Sequence, residues 1–216
     1  MSKSVYSIVL SDEVVAAVDL MALRLGTNRS NLINQILAER VSVVTPERRI
    51  KDIFDNIFRL LDEQFIQDSS TADTALAFRS PIAYKYKPTV RYSVELLRTP
   101  EGEHIGNLKI SFRTRSQAFM QILSSFYNAW ISSEREHNKR DVKYFADSDR
   151  LVREIYFPKG EKSISSEQLG ELIGEYVKAF DAALKGYFAS ADMPEAAAHT
   201  VSEIYSNALK NGIDKV

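Results

Sequence analysis

Apolar positions recur along this chain with two different periods, and the places where the period changes outline its elements. Residues 5–10 (Val-Tyr-Ser-Ile-Val-Leu) are β-branched and aromatic and predict a short strand. Tyr6, Ile8 and Leu10 fall on one face; Val5, Ser7 and Val9 fall on the other, with Lys3 in phase. From there the spacing becomes three to four. Val14, Val15, Val18, Met21, Ala22 and Leu25 predict a helix, started by Ser11 with Asp12 and Glu13 behind it and stopped at Gly26. Thr27-Asn28 turns the chain. Ser30 is then placed to cap a second helix carrying Leu32, Ile33, Ile36, Leu37 and Val41, and Thr45-Pro46 redirects it. Helical spacing returns in Ile50, Ile53, Phe54, Ile57, Leu60, Leu61 and Phe65, so 46–67 reads as a connecting helix.

Beyond the linker-like run Ser69–Asp73 the pattern is mixed. Tyr92, Val94 and Leu96 alternate with Arg91, Ser93 and Glu95; Leu108, Ile110 and Phe112 alternate with Lys109, Ser111 and Arg113. Between them Pro100-Glu101-Gly102-Glu103 has the chemistry of a hairpin turn. Residues 82–87 offer a third strand. Residues 116–134 place Phe119, Met120, Leu123, Phe126, Tyr127, Trp130 and Ile131 on a strongly apolar helix face. A charge-rich stretch with a short Ile155-Tyr156-Phe157 run follows. Residues 165–189 predict an amphipathic helix capped by Ser165 or Ser166, and Pro194 suits the first turn of a last one. Residues 68–216 therefore predict an α+β domain, a β-hairpin or small antiparallel sheet packed by helices, for oligomerisation or sensing.

Composition narrows the function classes. The chain has 216 residues, no cysteine and a formal net charge of −1, which excludes disulfides, thiolate metal sites and cysteine nucleophiles. No apolar run approaches the ~18 residues of a membrane helix, and an N-terminal apolar secretory segment is missing, so a cytoplasmic protein without membrane contact is expected. His104, His137 and His199 are far apart, and no nucleotide-binding or hydrolase motif occurs. No catalytic residue, metal site or cofactor is therefore expected, and the chain does not read as an enzyme. Charge is uneven. Residues 79–115 hold eight basic against three acidic side chains, whereas 163–216 hold four lysines against eight carboxylates. Arg91, Lys109, Arg113 and Arg115 form a candidate secondary basic surface for a polyanion; a sheet with one wet face accounts for the same pattern.

The first 45 residues carry a resemblance. The Ile8-Val9-Leu10-Ser11-Asp12-Glu13 junction, the spaced Val/Leu/Met stripe and Gly26-Thr27-Asn28-Arg29-Ser30-Asn31-Leu32-Ile33 resemble the ribbon-helix-helix family, the superfamily of the Arc and MetJ repressors. The resemblance covers residues 3–43. It implies a strand-helix-helix unit over 1–45 that dimerises by pairing its strand with that of a second copy. It also implies a β-ribbon in the major groove of double-stranded DNA, touching bases through Lys3, Val5, Ser7 and Val9. Asn28, Arg29, Ser30 and Asn31, at the start of the second helix, would hold a phosphate. The valines depart from the polar residues the family favours on that face, so the ribbon either reads DNA weakly or only dimerises.

The expected whole is α+β: a ribbon-helix-helix unit, a connecting helix over 46–67 and the domain over 68–216. The expected function is a homodimeric transcriptional regulator acting as a repressor, with higher oligomers on DNA as an extension and any small-molecule effector unidentified. The alternatives are a DNA-architectural accessory of a plasmid or mobile element, in partition or a relaxosome, and a protein-interaction module that uses the ribbon only to dimerise.

Overall fold

Helices, not a strand, open the described chain. The computed structural model describes residues 7–41, 43–68, 72–85, 87–114, 116–138, 140–160 and 164–216, and the chain divides into two compact units, 1–49 and 50–216. In the first, α1 (Asp12–Arg24) is capped by the Ser11 side chain, which accepts from the Val14 N–H, and Asp12 and Glu13 occupy its positive end. Gly26 takes a left-handed φ of +64° just past the helix end, a conformation that favours glycine. α2 (Arg29–Arg40) follows. Its cap is Asn28, whose side chain accepts from the Asn31 N–H at 2.9 Å, and not Ser30 as the spacing suggested. Thr45 begins α3 (Pro46–Leu60) by accepting from the Arg48 N–H.

The expected ribbon is overturned. Three helices precede the first strand, and Ser7–Leu10 run as unpaired chain in solvent. The reason is physical: a strand exists by pairing, and among the described residues nothing pairs with 7–10. Of the predicted base-contacting residues, Lys3 and Val5 lie outside the described residues; Ser7 and Val9 do not alternate along a strand.

The second unit keeps the α+β character with a larger sheet than predicted. β1 (Ile66–Gln67), β2 (Ala75–Pro81), β3 (Thr89–Glu101), β4 (His104–Phe112), β5 (Tyr144–Asp147) and β6 (Arg150–Tyr156) form one antiparallel sheet in the order β1-β2-β3-β4-β6-β5. The β3–β4 hairpin turns at Gly102, with φ +66°. Its ladder needs Gly106, where a Cβ would stand 2.1 Å from the Glu95 carbonyl oxygen, beside a register shift. The third strand expected at 82–87 is instead β2, ending at Pro81.

Alternation places Leu76, Phe78, Tyr92, Val94, Leu108, Ile110, Leu151 and Ile155 on the inner face. The helices α4 (Gln117–His137), α5 (Ser166–Ala189) and α6 (Pro194–Ala208) cover it. Ser165 starts α5 with a reciprocal capping box to Gln168. Ile50, Ile53 and Ile57 of α3 join this core, and α3 lies so close to α5 that a Cβ on Gly170 would meet the Ile53 carbonyl oxygen at 2.8 Å. Phe126, Trp130, Phe180 and Tyr205 interlock edge to face at its centre.

Candidate functional site

The first unit is a helix pair with little interior. Among its described apolar residues only Ala22, Leu32 and Ala38 are buried, while Met21, Leu23, Leu25, Ile36, Leu37 and Val41 face water. Val9 is fully exposed. At the turn between the helices, Arg29 forms a two-pronged ion pair with Asp19 of α1, its Nε donating to Oδ1 at 2.7 Å and its Nη2 to Oδ2. The Arg29 hydrogen bond holds the Asp19 carboxyl below its usual range. Thus Asn28 is occupied as a cap and Arg29 is engaged, while in the first turn of α2 Ser30 is exposed and Asn31 half-buried.

On the open face of the sheet, the basic residues expected to form a free surface are largely paired. Arg91 donates to Asp68 at 3.0 Å, Arg79 lies 3.3 Å from the same carboxylate, and Lys109 meets Glu95 at 2.6 Å. The Arg91 hydrogen bond, helped by the charges of Arg79, Arg91 and Arg113, lowers the Asp68 pKa. Two guanidiniums thus flank one carboxylate and the charge of a third, Arg113, bears on it, so this corner stays basic; Arg115 lies outside the described residues.

Two charged clusters lie inside the second unit. Glu134 of α4, fully buried, accepts from Arg153 of β6 (Nε at 2.9 Å, Nη2 at 2.5 Å) and from the Tyr176 hydroxyl at 2.7 Å. Trp130 Nε1 donates to that hydroxyl at 2.8 Å, and Arg153 also donates to the backbone oxygens of Glu154 and Val216. Burial works against the Arg153 charge, but the adjoining Glu134 carboxylate together with the Tyr176 and Tyr144 hydroxyls outweighs it, and the guanidinium stays protonated. In the second cluster Asp181 of α5 accepts from Tyr92 (2.8 Å), Ser80 (3.2 Å) and Lys185 (2.7 Å), and Lys185 also donates to Ser80 and Gln64, each at 2.8 Å. A serine beside a lysine suggests a nucleophile. Here the serine is sealed and already donates to Asp181, and the lysine charge is held by that carboxylate, so the cluster clamps β2, β3 and α5.

A groove opens on this unit between α4 and the turn joining β5 to β6, with a volume near 670 Å³. Gln121, Ser124 and Asn128 line one side, Asp147 and Ser148 the other, and the buried Tyr127 contributes to its wall. No protein-family model matches this chain, and no curated protein and no solved structure matches it.

His104 Nε2 donates to the Gly106 carbonyl and His137 Nδ1 to the Ser133 carbonyl, so both are engaged locally. Among the described residues no group of three or more metal-ligating side chains converges, and no helix is long and apolar enough to cross a membrane. Sequence reasoning missed the groove, Arg153, Asp181 and the burial of Glu134. A signal existed: Glu134 follows Trp130 on the apolar face of α4, and Arg153 sits in phase between Leu151 and Ile155.

Proposed function

We propose that the protein is a DNA-binding regulator that works as a homodimer, its helix pair joining two copies and docking on the backbone of duplex DNA. The apolar exposure of that pair carries the reading. A unit of some forty residues is too small to be stable on its own core. Exposing Met21, Leu23, Leu25, Ile36, Leu37 and Val41 together is what an interface leaves open when its partner is missing. A second copy is the occupant of matching chemistry. Residues 7–49 hold five basic and five acidic side chains, so two copies meet without net repulsion.

The DNA part of the reading rests on the first turn of α2. Its positive dipole end and the backbone N–H groups that Asn28 does not cap, with Ser30 exposed beside Arg29, suit a phosphate. The basic corner of Arg79, Arg91 and Arg113 supplies further charge toward a polyanion. Repression, or an architectural role on a plasmid or mobile element, both need this grip. The pairing of Arg29 with Asp19 and the neutral balance of the unit favour a second reading, in which the helix pair assembles the chain without DNA.

Light scattering on the full chain and on Leu37→Glu, with duplex binding by anisotropy at about 50 mM salt, tests both. The wild type should be dimeric and bind duplex, and Leu37→Glu, which changes an exposed side chain, should be monomeric with an intact second unit. A monomeric wild type overturns the assembly; a dimer that ignores duplex at low salt leaves the interaction module as the function.

A further inference from the structure

The groove on the second unit has a chemistry of its own. On α4, Gln117, Gln121, Ser124 and Asn128 recur at helical spacing along one stripe, and this stripe lines the groove. Amides and hydroxyls both donate and accept, which is the capacity a ligand hydroxyl needs in return. Asp147 and Ser148 face them from the β5–β6 turn. Asp147 Oδ1 accepts from the Ser148 N–H at 2.7 Å, leaving its other oxygen as an acceptor. Among the described residues that line the groove none is cationic, so nothing there would grip a phosphate or a carboxylate, and Asp147 would repel either.

Tyr127 is the second, independent observation. Its side chain is 2% exposed and its hydroxyl has no hydrogen-bond partner among the described residues, although it belongs to a residue that lines the groove. Leaving a buried hydroxyl unpaired destabilises the free protein, and phenylalanine would serve packing better. Burial, with the Asp149 carboxylate nearby, pushes this phenol upward, so it stays protonated and offers a donor. A volume near 670 Å³ falls within the range of small-molecule sites.

We propose that this groove binds an uncharged, hydroxyl-rich small molecule of sugar or nucleoside size, one of whose oxygens accepts the Tyr127 hydroxyl proton. The proposal is independent of how the first unit assembles. Glucose, N-acetylglucosamine and uridine, each titrated separately into ¹⁵N-labelled full-length protein, are the probes, with glucose 6-phosphate as the charged counterpart. At least one neutral probe should shift amides of α4 and the 146–149 turn, and the phosphorylated sugar should bind more weakly. Tyr127→Phe should weaken that binding about three- to ten-fold, the worth of one neutral hydrogen bond, while the free variant melts no lower than the wild type. Asn128→Ala, an exposed change that leaves the core alone, should weaken it as well. Silence with all three neutral probes, tighter binding of the phosphate, or unchanged binding by both variants would each overturn the proposal. So would a free Tyr127→Phe that melts well below the wild type, since its hydroxyl would then be paired within the protein.

Discussion

Replacing Arg153 by methionine removes the cation paired with an interior carboxylate and tests the buried network directly. Glu134 is fully buried and Arg153 is 1% exposed. This carboxylate receives two hydrogen bonds from Arg153 and one from Tyr176. Methionine fills similar space but returns neither. Breaking one side of a buried pair costs about 3–5 kcal/mol, chiefly because the remaining charge is stranded in a medium that cannot solvate it. For a unit of this size each kcal/mol lowers the melting temperature by about 2–4 °C, so the variant should melt roughly 6–20 °C below the wild type. Trp130 is the single tryptophan of the chain and donates to the Tyr176 hydroxyl, so its fluorescence follows this unit and no other. Urea unfolding monitored by that fluorescence gives the loss; the double variant Glu134→Leu with Arg153→Met, carrying no stranded charge, should recover most of it. A loss under about 1 kcal/mol, the range of exposed pairs, would refute the reasoning, and so would a double variant no better than Arg153→Met.

Three further outcomes are expected. Gly106→Ala, whose new Cβ would stand 2.1 Å from the Glu95 carbonyl oxygen, should destabilise by about 3 kcal/mol or more, whereas Gly26→Ala, strained in φ but open in space, should cost about 1–2 kcal/mol; chemical unfolding ranks the two. The Asp68 carboxyl titrates below its ordinary value because Arg91 favours the charged form. Its stabilisation is therefore present above the unfolded value of 3.8 and lost as pH falls through the lower folded one. Arg91→Ala should move the carboxyl ¹³C titration of Asp68 upward, and an unmoved curve would remove Arg91 as the cause. Asp19→Asn should free Arg29 and tighten duplex binding at low salt, steepening the salt dependence by about one unit or less; weaker or unchanged binding would separate Arg29 from the phosphate.

Local signals carried far along this sequence, and pairing signals did not. Ser11 with Asp12 and Glu13, Gly26, Ser165 and Pro194 each mark a helix end through a preference of the backbone itself, and each stands where that preference puts it. The β3–β4 hairpin was legible because two alternating runs flank turn residues. Residues 5–10 carried an equally good strand signal. Strand propensity describes a fit to a pleated surface, and Ser7–Leu10 are given no such surface by the rest of this chain. β2 and β6 were missed for the converse reason: their runs are broken by Arg79, Arg153 and Glu154, and what makes them strands is the ladder on either side; β5, four residues long, is a strand by its pairing with β6. Asn28 captured the cap from Ser30 because the helix begins two residues earlier than the apolar spacing alone implies. The basic surface was read from a segment, but Asp68, which neutralises part of it, lies 23 residues before Arg91. The groove residues were invisible because glutamine, serine and asparagine on a helix surface look like ordinary solvent-facing positions.

Places where a chain departs from the rules of packing are informative only after the satisfied departures are set aside. Glu134, Arg153 and Asp181 break the rule against buried charge, yet each is matched by partners at hydrogen-bond distance, so they need nothing from outside. Tyr144 and Tyr205 also carry buried hydroxyls without a partner among the described residues, but the Glu134 charge bears on both, and neither lines the groove. Two departures are left. The helix pair exposes an apolar face that water penalises, and Tyr127 withholds a hydroxyl that its own surroundings do not use. The first calls for a large apolar partner and the second for a small polar one. No single occupant has both chemistries, which is why assembly and ligand binding are assigned to different units of this chain.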